Sequence, residues 1–492
     1  MDDGGRIETI YALASAAPTR RAGAGIAVIR VSGPRATDAF VFLTERGAWA
    51  RGHSVRDPSI PQPRLPVRRS FYDPATGEVV DHGLAVWFAA PRSYTGEDVV
   101  EFHIHGGRAT IAGVLDAIAA LPFCRLAEPG EFTRRAFERG KLDLTSAEGV
   151  ADLVAADTAA QRRLALRQVE GALGELYEGW RTHLLRALAH LEADIDFPDE
   201  DLPAGVAAAV RPELGRVRAA IAAHLGDRRG ERLRDGVSIA IIGPPNAGKS
   251  SLLNAIARRD AAIVSAVAGT TRDVVETHLD LDGYPVILAD TAGLRDSADP
   301  VELEGVRRAR ARAGEADIRL LVVEATDSAG PGAGWRQVAD DLRDAAGGWT
   351  PGVDLVVVNK IDLLSDGATL IGPRDGGRPG WVGVSALTGE GMAALLDRLG
   401  ESVGQLMGDV GAPAGDIAEA PPLTRARHRE ALTRCVAALD RALVRAAAGA
   451  RDEGELVAED VRLAAREIGR ITGRVGVEDL LDVIFRDFCI GK

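Results

Sequence analysis

Lysine is nearly absent from this sequence. Of its 59 basic residues only Lys141, Lys249, Lys360 and Lys492 are lysines. Arginine supplies positive charge everywhere else, and with abundant Ala and Gly this points to a drift that replaces lysine wherever a guanidinium fits. A lysine that persists marks a place that needs a slim point charge rather than a planar fork. Cysteine is scarce too. Cys124, Cys435 and Cys489 are far apart and odd in number, which argues against a disulfide framework and for a reducing compartment. No apolar run approaches the length that spans a bilayer. The acidic start, MDDGGRIE, lacks the apolar stretch of a secretory signal. A cytoplasmic protein with no membrane association is expected. A basic excess is also missing. The net charge of −13 and pI near 5.3 speak against nucleic-acid binding by bulk electrostatics, so any RNA contact needs a local basic patch.

The chain does have material for several cores, with 492 residues of which 46% are apolar, and three domains are expected. Residues 25–31 (GIAVIRV), 83–88 (GLAVWF) and 99–104 (VVEFHI) are strand-like, and 108–121 has helical apolar periodicity. Helical patterning covers 145–197 and stops at the proline of Asp196-Phe197-Pro198. A further helix is expected over 212–229. From about 237 to 403 strands alternate with helices, the signature of a doubly wound, mostly parallel sheet. A Gly/Ala/Pro-rich linker, 408–422, leads into more amphipathic helix. Helical segments on both sides of the α/β unit imply that it is inserted into one discontinuous helical domain.

The inserted unit carries phosphate chemistry. An apolar strand, 238–242, runs into Gly243-Pro-Pro-Asn246-Ala247-Gly248-Lys249-Ser250, and Ser251 begins a helix. This is GxxxxGK[S/T] between a strand and a helix, where backbone N–H groups and the helix N-terminus attract phosphate. Lys249 would reach the β- and γ-phosphates, and the Ser250 hydroxyl would ligate Mg²⁺. Asp290-Thr291-Ala292-Gly293 follows the strand-like 286–289. Asp290 would hold Mg²⁺ through water, and the Gly293 N–H would meet the γ-phosphate. Gly269-Thr270-Thr271 reads as a first switch, with Thr271 as second Mg²⁺ ligand. Asn359-Lys360-Ile361-Asp362 closes another strand, and Ser385-Ala386-Leu387 follows a third. The Asp362 carboxylate would accept from guanine's N1–H and 2-amino group. Adenine offers neither and would leave that acceptor unpaired, so GTP rather than ATP is expected. Leu294 stands where Ras-type enzymes carry the water-orienting glutamine. The acids nearby are Asp296, Asp299, Glu302 and Glu304.

The sequence resembles the tRNA-modifying GTPase family MnmE, also called TrmE. The matches are DTAGLRDSADPVE at 290–302, GIAVIRVSG at 25–33, YTGED at 94–98, Glu101, HGG at 105–107, EPGEF at 128–132, KLDL at 141–144 and the terminal FCIGK at 488–492. They run over nearly the whole chain. The resemblance implies an N-terminal tetrahydrofolate-binding and dimerisation domain (1–139), a helical domain in two parts (140–232 and 406–492) and a Ras-like G domain (233–405). It implies Glu302 as the catalytic, water-orienting glutamate and K⁺ in place of an arginine finger. That K⁺ would be held by Asn246, Ser265, Val267 and Thr270 in the loop Ser265-Ala266-Val267-Ala268-Gly269-Thr270. It implies a formyl- or methylene-tetrahydrofolate bound by Arg30, Glu101, Lys141 and Lys492, and Cys489 as a candidate nucleophile. The partners implied are a second copy of the chain, an MnmG-type protein that alone carries FAD (a heterotetramer), and a tRNA modified at C5 of its wobble uridine. All four lysines then face ligands, two at GTP and two at folate. Departures are Thr19-Arg20-Arg21-Ala22-Gly23, where the family has a glycine-rich turn, and Pro244 and Pro300, which stiffen two loops.

This pattern makes a kinetic prediction. With GTP saturating in K⁺, Glu302→Ala should cut hydrolysis roughly 10²–10³-fold without weakening GTP binding, the range for a positioned catalytic group. Glu304→Ala, on another helix face, should stay near wild type, and wild-type turnover should drop when Na⁺ replaces K⁺. Equal losses in the two variants would contradict the assignment.

Overall fold

The computed structural model of the chain describes residues 8–16, 24–51, 60–196, 206–258, 276–290, 316–325, 354–364, 371–372, 380–408, 420–448, 454–476, 478–486 and 488–491. They form two compact units, Met1–Ala151 with Gly469–Lys492, and Asp152–Ile468.

The first unit is built on a six-stranded sheet. Its strands are β1 (Thr9–Leu13), β2 (Ile26–Ser32), β3 (Val67–Tyr72), β4 (Val79–Phe88), β5 (Val99–His105) and β6 (Cys124–Leu126), in the order β3-β4-β5-β2-β1-β6. All neighbours are antiparallel except β1 and β6. Strict alternation sends Ile29, Val31, Phe71, Val100 and Phe102 to one face, where helices Ala36–Thr44 and Arg108–Ala119 cover them with Phe40, Leu43 and Ile118. On the opposite face, Phe132 from helix Glu131–Glu138 packs with Ile10 and Ala12. Part of that face stays open, with Ile26 67% and Leu84 45% exposed. Leu481, Phe485 and Phe488 of the terminal segment join Leu144 and Ala147 in a further cluster.

The second unit holds a seven-stranded sheet of β7 (Val237–Ile242), β8 (Glu276–Leu281), β9 (Tyr284–Asp290), β10 (Ile318–Glu324), β11 (Asp354–Asn359), β12 (Ile371–Gly372) and β13 (Trp381–Val384). The order is β12-β13-β11-β10-β7-β9-β8, with both edge strands antiparallel and the rest parallel. A doubly wound sheet of this kind gathers the C-terminal ends of its parallel strands along one edge, where ligands bind. The β8–β9 hairpin was not read from sequence, although Asp282-Gly283 (φ 54° and 85°) is the two-residue turn that favours it. Helix Ala159–Val169 sits against this hairpin. The N–H of Ala160 donates to the Gly283 carbonyl at 3.2 Å, and Ala160 and Leu164 belong to the same apolar core as Ile239, Leu281 and Val286. The inserted unit therefore shares its core with a helix that precedes it by dozens of residues.

Helices Ala172–Asp196, Val206–Gly226 and Ala426–Ala448 form a bundle around Tyr177, Leu184, Leu214, Ile221, Leu432 and Leu439. The second of these begins before Pro212 rather than at it. One proline removes a single i→i−4 bond, and the preceding Ala207-Ala208-Ala209 favour helix enough to carry it through. Arg429 links the bundle to helix Arg229–Asp235 through both oxygens of Glu231, at 2.9 and 2.8 Å. Arg232 on that helix holds Asp317 at 2.7 Å, and Asp317 in turn accepts from the Ser238 N–H at 3.0 Å. The bundle is thereby tied to the first residues of the strand that leads to the phosphate loop. Among the described residues no helix is long and apolar enough to cross a membrane.

Inside the bundle His224 lies 8% exposed, its Nε2 3.2 Å from the Tyr177 hydroxyl and its ring edge-on to Trp180. Burial pushes it down to about 4, Asp227 opposing and His428 and Arg429 assisting. The unfolded imidazole titrates near 6.5, so the native state binds fewer protons between these values. Stability is complete above about pH 6.5 and falls as pH drops toward 4, by roughly 2 kcal/mol at pH 5. Urea unfolding at pH 7 and pH 5 should show that loss shrinking by about this amount in His224→Asn; an undiminished loss would contradict it.

Candidate functional site

Five strands of the second unit end side by side. Ile242, Asp290, Glu324, Asn359 and Val384 are their last residues, with Ile241 beside Asp290 and Asn359 beside both Glu324 and Val384 in register. Every loop read as nucleotide-binding that falls among the described residues leaves from this edge.

The phosphate loop runs from β7 into helix Lys249–Ala257. Asn246 is exposed and left-handed at φ 65°, and Gly248 caps the helix at φ 86°. Ser250 and Ser251 lie exposed in the first turn, the end of a helix that favours anions. The Lys249 ammonium folds over the loop and donates to the carbonyls of Gly243 (2.9 Å) and Pro244 (2.8 Å). A cation above a ring of amides at a helix N-terminus is a cradle for phosphate.

The loops read from sequence as base-recognising are joined to this cradle by one side chain. Asn359, 1% exposed, donates from Nδ2 to the Ala247 carbonyl at 2.9 Å and accepts the Ala386 N–H on Oδ1 at 3.1 Å. A β-carbon on Gly248 would lie 2.3 Å from that Nδ2, so only glycine lets the two loops approach. Lys360 is left-handed at φ 66° and starts the single turn Ile361–Leu363, which leaves Asp362 exposed. Ser385 is fully buried and shapes its own loop, accepting the Thr388 N–H on Oγ at 3.1 Å. Leu387 stands 87% exposed at the rim. The structure thus brings Asn246, Ala247, Gly248, Lys249, Ser250, Ser251, Asn359, Lys360, Asp362, Ser385, Ala386 and Leu387 to one edge, and the backbone of Asp290 ends beside them. Residues 265–271, 291–293 and Glu302, with Leu294 and Glu304, lie outside the described residues.

The residues read as folate-binding lie in the first unit. Arg30 on β2 and Glu101 on β5 are cross-strand neighbours, and the guanidinium meets the carboxylate at 3.0 and 2.9 Å. Arg30 also lies over Tyr94 and Phe132, 5.4 and 5.7 Å from their ring centres, and His103 Nε2 is 3.5 Å from the other Glu101 oxygen. Lys141 donates to the Pro91 carbonyl at 3.0 Å. The terminal segment folds against the same sheet. Ile490 bridges Pro129, and Gly491, at φ 103°, passes so close to β1 that a β-carbon would lie 2.2 Å from the Leu13 carbonyl. Leu13 is one residue from Ala12, the register partner of Arg30. Cys489 is exposed, whereas burial pushes Cys124 and Cys435 up to about 12, too high for thiolate chemistry near neutral pH. Lys492 lies outside the described residues.

The sequence reading missed the support beneath this face. Glu97, nearly buried, accepts from Ser32 (2.9 Å), Arg135 (3.0 Å) and Arg139 (2.7 Å), so the acid of the YTGED segment fixes β2 to helix Glu131–Glu138. It also missed Glu324, whose carboxylate lies 2.9 Å from the Lys360 ammonium. An acid ending an apolar strand was the available signal.

Fold and loops define a P-loop GTP-binding protein of the Ras-like kind, with further domains around the G domain. Comparison with known proteins is specific. A family model described as the MnmE helical domain matches residues 144–489, and one described as the GTP-binding protein TrmE N-terminus matches 9–141. The protein named tRNA modification GTPase MnmE from Parvibaculum lavamentivorans is 55% identical over 487 residues, 99% of this chain and 100% of its own. Its namesake in Rhodospirillum rubrum is 52% identical over 487 residues, with 99% and 100% covered. The human mitochondrial protein named 5-taurinomethyluridine-tRNA synthase subunit GTPB3 is 46% identical over 493 residues, with 98% and 93% covered. The chain belongs to the MnmE/TrmE family.

Proposed function

We propose that this chain is a GTP-hydrolysing tRNA modification enzyme that acts on C5 of the wobble uridine. The observation that carries the reading is family membership along the whole chain together with phosphate and guanine loops joined on one strand edge. The relatives' names supply tRNA modification, and the loops supply the nucleotide.

In the hydrolytic half, Lys249 and the amides from Gly248 onward hold the phosphates, and Asp362, Ala386 and Leu387 face guanine. The exposed Ser250 hydroxyl at the helix start fits an Mg²⁺ ligand, with Thr271 as its companion. Asn246, exposed and left-handed in the phosphate loop, fits a K⁺ ligand with Ser265, Val267 and Thr270. K⁺, when bound, supplies the positive charge that an arginine finger supplies elsewhere. Glu302 would orient the attacking water and take its proton as the bond to the γ-phosphorus forms and the bond from that phosphorus to the β–γ bridging oxygen breaks, GDP leaving with the electron pair.

In the modifying half, the Arg30–Glu101 pair fits a pterin. A carboxylate suits its donor edge, while Arg30, Lys141 and Lys492 suit its carbonyl and glutamate carboxylates. The tetrahydrofolate derivative supplies the one-carbon unit when bound. Cys489, exposed beside that face, is the thiol available to act as nucleophile. The exposed Ile26 and Leu84 on this sheet face favour pairing of two copies through this domain. An MnmG-type protein brings FAD, and the product carries an aminomethyl-type group, carboxymethylaminomethyl in the family's bacterial members. The domain division is 1–139, 140–232 with 406–492, and 233–405, in a cytoplasmic homodimer.

The direct test is mass spectrometry of tRNA nucleosides from cells with and without the gene. The deletion should lack the aminomethyl-type uridine and regain it with the wild-type gene. Unchanged nucleosides would instead favour a regulatory GTPase without one-carbon chemistry.

A further inference from the structure

The corner that carries the guanine-reading loop is held from two sides, and only one of them is the phosphate-loop joint. β10 and β11 run parallel, and their last residues, Glu324 and Asn359, are partners in register. One residue further, the Ala325 N–H donates to the Asn359 carbonyl at 2.8 Å, so the two strand exits are fixed together. The chain then turns sharply at Lys360. An L-residue in the left-handed region is strained by about 1–2 kcal/mol, and Lys360 adopts it at φ 66° directly before the turn that bears Asp362. The Lys360 ammonium lies 2.9 Å from the Glu324 carboxylate, with the two side chains 31% and 35% exposed.

We propose that Glu324 is a positioning residue for the guanine nucleotide. By pinning the ammonium it holds the Lys360 side chain extended across the mouth of the base site, so that the methylene stem forms an apolar wall for the base. It also holds the left-handed turn that aims Asp362. Lysine suits this task because it can be pinned at its tip while the stem stays free to pack. A guanidinium would engage the carboxylate as a broad fork and draw the stem toward Glu324. This accounts for a lysine at position 360 in a chain that uses arginine for nearly all of its cations. The assignment rests on residues 359–362 being the guanine-recognising loop.

Because Glu324 acts at the base end, its loss affects GTP and GDP alike and appears in KM more than in kcat. The pair is partly solvated, and exposed pairs contribute modestly, so a roughly two- to five-fold loss is expected. The experiment measures GTP and GDP affinity by fluorescent-nucleotide titration, and steady-state kinetics, in the full-length protein. The variants are Glu324→Gln, Glu324→Asp, Lys360→Met, the double variant Glu324→Gln/Lys360→Met, and Asp362→Asn. Glu324→Gln should weaken both nucleotides equally, Glu324→Asp should recover part of the loss, and Glu324→Gln should have no further effect in the Lys360→Met background. Tighter binding by Glu324→Gln would overturn the proposal, because the carboxylate would then compete with nucleotide for the lysine. An equal loss in the Lys360→Met background would also overturn it, leaving Glu324 as support for the strand end. If Asp362→Asn binds GTP as tightly as wild type, the guanine-loop reading fails and the proposal with it. If Asp362→Asn loses GTP while Glu324→Gln does not, the Glu324 assignment alone fails.

Discussion

The carboxamide of Asn359 is almost sealed from solvent, and its two ends serve different loops. One holds the carbonyl of Ala247 in the phosphate loop and the other receives the N–H of Ala386 in the loop after β13. A buried amide without partners is costly, so the loops and the amide fix one another. Several sequence choices follow from that joint. Gly248 must lack a side chain because Asn359 approaches it. Gly391 turns the chain so that the loop carrying Ala386 returns tightly on β13, its Cβ position lying 2.0 Å from the Gly383 carbonyl. In the proposed nucleotide site the phosphate and base loops must keep a constant distance, and this one side chain spans them.

The loops were legible in the sequence because each is a short motif at the end of one apolar strand. GPPNAGKS, NKID and SAL are each a few consecutive residues, and strand order brings them to one edge; of DTAG only the backbone of Asp290 lies among the described residues. What escaped was non-local. The partnership of Glu324 with Lys360 follows from the register of β10 on β11, which no local pattern reveals. The joining of helix Ala159–Val169 to the core of the inserted unit escaped for the same reason, since Ala160 and Leu164 look like any apolar helix face. The helix expected from 212 begins at Val206 instead, because the alanines before Pro212 favour helix and one proline removes a single bond.

The first unit was legible mainly through resemblance. Arg30 and Glu101 are far apart in sequence, and nothing in either segment announces their pairing; antiparallel register across β2 and β5 produces it. The buried acids beneath follow one logic. Glu97 and Glu131 are each surrounded by arginines, Glu131 meeting Arg125 and Arg135 at 2.7 and 2.8 Å. Burial alone would raise the Glu131 carboxyl, and its hydrogen bonds to Arg125, the Glu128 N–H and Arg135 outweigh that and hold it low. Removing one member would strand the opposite charge. The network ties β2 and the chain before β1 to helix Glu131–Glu138 beneath the face that carries Arg30, Tyr94 and the returning chain end.

The central claim is that one amide couples the phosphate and base halves of the nucleotide site, and Asn359→Ala tests it most directly. The variant loses both hydrogen bonds and leaves the Ala247 carbonyl and the Ala386 N–H to rearrange. Losing two buried bonds predicts a cost on the order of 2–4 kcal/mol, or roughly 30- to 10³-fold weaker binding of GTP and GDP alike. Affinities for both nucleotides within about twofold of wild type would contradict the account.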